Sequence, residues 1–129
     1  MNALSRMIEA VRPGGLILDL QVIRTNPQVE LNGRVVAEID GEALFRCADA
    51  ATAAVDARIR AGDLVEEAVD DHDVRKHYTD GAELVEDFAE SKRRIPAERV
   101  PVVAAIKESL AVGEHCRLRR LRVPGRRDR

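Results

Sequence analysis

The chain has 129 residues, 45% of them hydrophobic, enough for one domain with an apolar core and too few for two. With two Phe, one Tyr and no Trp, that core has to be built from Ala, Val, Leu and Ile. A net charge of −2 excludes a global field for holding nucleic acid. No apolar run reaches the ~20 residues of a membrane span. Arg6, Glu9 and Arg12 interrupt any signal-peptide core, so a cytoplasmic protein is the expectation.

The charge is nevertheless uneven. Between Asp63 and Glu90 acidic residues are opposed only by Arg75 and Lys76, whereas from Arg117 to Arg129 the Arg residues are opposed only by Asp128. This reads as a solvated acidic face and a basic tail (residues 124–129) behind a single domain (1–123). The arm Arg126–Arg129 is the one place for an RNA or other anionic partner. Cys47 and Cys116 have no metal-ligand spacing and sit among apolar neighbours, which predicts two buried thiols.

In chain order, Leu4, Met7, Ile8 and Val11 fall on one face of a helix ended by Pro13. After Gly14-Gly15, the run Leu16–Ile23 reads as a strand buried on both faces, as in a parallel sheet. Val29 and Leu31 alternate before Asn32-Gly33, and Val35, Ala37 and Ile39 after it, which predicts a β-hairpin inserted behind that strand. From Glu42 to Ala61, Leu44, Ala48, Ala51, Val55 and Ile59 form an apolar helical stripe closed by Gly62.

Glu66 to Tyr78 is polar, and only Val74 and Tyr78 point to a strand near its end. A helix follows over about Gly81 to Ser91, carrying Leu84, Val85 and Phe88. Another is predicted from Pro96, with Val100, Val103, Ala104, Lys107, Leu110 and Ala111 at helical spacing and Gly113 as its stop. In His115–Val123, Cys116 and Leu118 share one strand face and Leu121 and Val123 the other. A bulge near Arg119-Arg120 would reunite them. The alternation predicts an α/β sheet with an antiparallel component.

No nucleophile–base set is apparent, and His72, His77 and His115 share no metal spacing. His72-Asp73 and His77-Tyr78 lie on a polar strand approach that could face a cleft. Asp19 and Gln21 interrupt the apolar run near its carboxy end, where doubly wound sheets place their ligand crevice. A carboxylate there costs free energy unless paired or hydrated. Asp19, Gln21 and the neighbouring Arg24 are therefore the candidate cleft residues.

The stretch Val11-Arg12-Pro13-Gly14-Gly15-Leu16-Ile17-Leu18-Asp19-Leu20, with the helix before it, resembles the helix–RPGG–fifth-strand segment of class I S-adenosylmethionine-dependent methyltransferases of the bacterial small-molecule type. The order helix, sixth strand, helix, seventh strand that follows is similar to that family's distal half, and His72–Leu84 resembles a late strand-to-helix passage. The hairpin and the helix from Glu42 resemble its variable substrate-side region. The resemblance covers most of Ala3 to Val123 and implies a truncated Rossmann-like sheet of fifth to seventh strands with an inserted hairpin.

In the family the cofactor is held by a glycine-rich turn after the first strand and an acidic residue ending the second, both ahead of the RPGG segment. Neither has a counterpart in this sequence, so no cofactor-binding or catalytic residue carries over. The implied chain is inactive alone and binds no cofactor, with S-adenosylmethionine and a small-molecule methyl acceptor entering only if an amino-terminal half completes it. The strand Leu16–Ile23 would then want a neighbour, either from a separate amino-terminal half or from a second copy. The alternative is a non-catalytic α/β interaction or small-ligand-binding protein, dimeric through that sheet edge.

Overall fold

A computed structural model describes residues 3–125. Helix α1 (Ala3–Ala10) leads through a turn into β1 (Leu16–Leu31). Gly14 takes a φ of +83°. At Gly15 a Cβ would lie 2.5 Å from Val11 Cγ1 and 2.9 Å from the Arg12 carbonyl oxygen, so the turn closes only over glycine. Strand β2 (Arg34–Glu38) returns across Asn32-Gly33, whose φ values of 51° and 77° are the paired positive angles of a two-residue hairpin turn. Then come α2 (Glu42–Arg60), β3 (Val65–Tyr78), α3 (Gly81–Phe88), a 3-10 turn (Ala97–Arg99), α4 (Val100–Ala104) and β4 (Leu110–Arg122).

The four strands form an open sheet in the order β2-β1-β4-β3, and every hydrogen-bonded neighbour pair is antiparallel. Because β4 opposes both β1 and β3, those two run parallel to each other. The hairpin is not an insertion behind the first strand but the far half of β1 itself. The chain bends where the register with β4 shifts between Ile23 and Gln28, and buried Pro27 sits in that bend.

The apolar core is divided between the two faces of the sheet. Ile17 pairs with Leu121, and together with Val55, Leu64 and Val123 they pack under Leu4, Ile8 and Val11 at α1 and Ile59 of α2. Val29 pairs with Val112, and Tyr78 with Leu110. These pack under Leu84 and Phe88 of α3 and Val103 of α4. Residues 112 and 121 differ by an odd number along a strand whose side chains alternate, so the two clusters lie on opposite faces.

This placement explains the mixed pattern of the last strand. β4 crosses from one core to the other and needs no bulge of its own; the register shift lies in β3, between Glu66 and Ala68. It also overturns the reading of Leu16–Ile23 as buried on both faces. The α1/α2 layer covers Ile17, but Leu16, Leu18 and Leu20 on the other face are 41%, 62% and 55% exposed.

Two further expectations fail for physical reasons. The helix predicted from Pro96 stops at Ala104, and Leu110, Ala111 and Gly113 belong to β4. Valine fits a pleated sheet better than a helix, and Val112 is instead buried against Val29 across the β1–β4 pair. The polar stretch 66–78 is strand throughout because its charges have partners on β4. Arg117 donates to Asp71 at 2.7 and 2.9 Å, and Arg119 donates to Glu66 at 2.7 Å. Arg122 donates to Glu67 at 2.5 and 3.0 Å. The acidic run and the Arg-rich run are adjacent strands. Residues Arg126–Arg129 of the basic tail lie outside the described residues.

Candidate functional site

Asp19 and Gln21 project from β1 on the face covered by α1 and α2, where Asp19 stands opposite Arg119 and Gln21 opposite Arg117 in the β1–β4 register. Both are half-buried. Gln21 Nε2 donates to Asp19 Oδ1 at 2.9 Å. Asp19 Oδ2 is shielded from solvent without a hydrogen-bond partner, because Arg119 turns away to Asp56 and Glu66. A shielded acceptor without a donor costs about 1–3 kcal/mol.

Arg24 does not join them. Its guanidinium is bonded through both terminal nitrogens to Asp49 of α2, at 3.1 and 3.0 Å, and lies 5.0 Å from the Phe45 ring centre. The hydrogen bond from Arg24 holds the Asp49 carboxyl below its ordinary range, and Asp49 in turn raises the already high Arg24 value. Arg24 therefore clamps α2 to β1. Of the three candidates, two touch and the third serves the helix.

A hollow of about 350 Å³ opens beside the bend in β1, lined by Ile23, Arg24, Asp71, His72, Asp73, His115 and Cys116 among others. His115 Nδ1 lies 2.6 Å from Asp73 Oδ1, an exposed pair joined only by the β3–β4 register. His72 and Asp73 are among the residues lining this hollow, and His77 is not. Nothing in the local sequence pointed to His115, because its partner is remote in the chain.

The hollow has no activated nucleophile. Burial, with Glu114 nearby, pushes the Cys116 thiol above its usual value. Its side chain also alternates to the opposite face from His115. Among the described residues no group of three or more His, Cys, Asp or Glu is placed to hold a metal. Cys47 is exposed rather than buried, since α2 turns its core stripe through Phe45, Ala48 and Val55.

A wider groove of about 1060 Å³ lies between α1 and the end of β4, walled by Ile8, Val11, Pro13, Val65 and Val123, with Glu9 and Asp63 as its charged residues. No helix among the described residues is long and apolar enough to cross a membrane. No family model, no curated protein and no solved structure matches the chain.

Proposed function

We propose that this chain is the acceptor-side half of a class I methyltransferase fold, catalytically silent until an amino-terminal half adds to its sheet at Leu16–Ile23. The observation that carries the reading is the open outer edge of β1. β2 pairs with β1 only over Gln28–Leu31, so among the described residues no strand lies beside Leu16–Ile23 on that side. The parallel relation of β1 and β3 supports it, since the strands resembling the family's fifth and sixth run in one direction with the last strand reversed between them.

The paired glycines offer no cofactor cradle here. Gly15 is closed against Val11 and the Arg12 carbonyl, and Gly14 makes the turn into β1. The completing half would hold S-adenosylmethionine, which supplies the methyl group when bound. Asp19 and Gln21 then stand at the new strand boundary as polar lining groups.

Titration calorimetry of the isolated chain with S-adenosylmethionine is expected to show no heat of binding, and micromolar affinity would overturn the claim of silence. The coding sequence immediately upstream tests the other half of the proposal. A frame encoding a strand followed by a glycine-rich turn supports completion, and its absence favours a second reading. That reading is a non-catalytic interaction protein, and the uncovered row Leu16, Leu18 and Leu20 favours it.

A further inference from the structure

The two edges of the sheet are built differently. The outer strand β3 carries Glu67, Asp70, Asp71, Asp73 and Arg75, the charges by which natural edge strands resist pairing. The open part of β1 carries one charge, Asp19, in an otherwise apolar segment. That segment also reads nearly the same in both directions about Leu20. Asp19 and Gln21 flank it, then Leu18 and Val22, then Ile17 and Ile23.

We propose that, where no other strand completes the sheet, a second copy of this chain does so. The two β1 strands pair antiparallel, edge to edge, about a two-fold axis at Leu20. Residues directly opposite in an antiparallel pair share a face. The axis therefore sets Leu18 against the partner's Val22, Leu20 against the partner's Leu20, and Ile17 against the partner's Ile23. Each apolar side chain meets an apolar one.

Asp19 meets the partner's Gln21. Gln21 already donates one amide hydrogen to Asp19 Oδ1 within its own strand. An amide nitrogen carries a second, which across the axis faces the partner's Asp19 carboxylate. The symmetry supplies the same contact twice. A slip of one residue would set Asp19 against the partner's Leu20 and mix polar with apolar faces throughout, so the pattern itself specifies the register. The contact is isologous and closes at two copies, and the charged β3 edges oppose further growth.

The inference stands apart from the methyltransferase reading. A completing strand would take the same edge and exclude the second copy. The interface is short and belongs to the weak class below about 1,200 Å², so association is expected to be concentration-dependent.

Sedimentation equilibrium on the chain at up to ~100 µM is expected to show a monomer–dimer equilibrium. Leu20→Asp sets two carboxylates directly opposite each other and is expected to raise the dissociation constant at least about tenfold. Leu20 is 55% exposed, so the variant should keep its fold, which far-UV circular dichroism checks. Directly opposed side chains lie ~4.5–5.5 Å apart at Cβ, close to disulfide reach. In a Cys47→Ser background, Leu20→Cys is thus expected to give a covalent dimer on mild oxidation. Val35→Cys, at a site 53% exposed, is expected not to. A chain that stays monomeric at ~100 µM overturns the proposal. So does a dimer that ignores Leu20→Asp and fails to cross-link through Leu20→Cys.

Discussion

Among the described residues Arg119 is the only buried charged side chain, at 8% exposure, and its loss is expected to destabilise the fold. Its Nε donates to Glu66 at 2.7 Å and its Nη2 to Asp56 at 2.8 Å, tying β4 to the edge strand β3 and to α2. Burial works against its charge, and the hydrogen bonds to Asp56 and Glu66 outweigh that, so the guanidinium stays firmly protonated. Arg119→Met keeps much of the buried stem and leaves the Asp56 and Glu66 carboxylates without their hydrogen-bonded cation.

Breaking a fully buried pair costs about 3–5 kcal/mol. Here the carboxylate side chains are 44% and 34% exposed, and solvent screens the charges left behind. The expected loss is therefore about 2 kcal/mol, which for a chain of this size lowers Tm by about 8 °C. Urea unfolding followed by circular dichroism measures it. Adding Asp56→Asn and Glu66→Gln to Arg119→Met removes the stranded charges and should recover most of the loss. If Arg119→Met costs under ~0.5 kcal/mol, the level of an ordinary surface change, or if the triple variant is no more stable than the single, Arg119 does not organise this face.

Three other outcomes are expected from the packing and hydrogen bonding of this fold. Gly81→Ala would drive its Cβ into the Val103 carbonyl where α3 meets α4. It is expected to cost at least about 3 kcal/mol, the upper end of overpacking, as read by thermal unfolding, whereas Gly125→Ala, whose Cβ would stand in open space, should be near neutral. The single tyrosine, Tyr78, is buried and donates to Asp87 at 2.5 Å, and burial followed by that bond raises its phenol above the usual value. Its folded form thus keeps a proton that the unfolded chain releases near pH ~10. This stabilisation is complete below pH ~10 and declines as pH rises toward the folded value; absorbance at the tyrosinate band should show ionisation delayed until unfolding. A thiol reagent should titrate exposed Cys47 in the native protein and buried Cys116 only in denaturant.

Local chemistry in the sequence determined several elements. Asn32-Gly33 specified the hairpin turn because both residues accept positive φ. The apolar spacing from Glu42 specified α2, and Asp80, whose side chain accepts from the Glu83 amide at 2.9 Å, specified the start of α3. Asp19 and Gln21 stood out because two polar residues break an apolar strand, and the structure places them together.

Tertiary pairing alone decided the rest. β3 has no apolar period to reveal it, since its charges are answered by arginines of β4 that lie far along the chain. The meeting of His115 with Asp73 depends on the same register. The end of α4 and the two-faced pattern of β4 follow from a sheet whose two cores lie on opposite sides, which a single strand's periodicity cannot disclose. The apolar run Leu16–Ile23 showed from the sequence that a strand would form there. Only the assembled sheet showed that one face and one edge of it are left open, because burial is a property of neighbours and not of the segment.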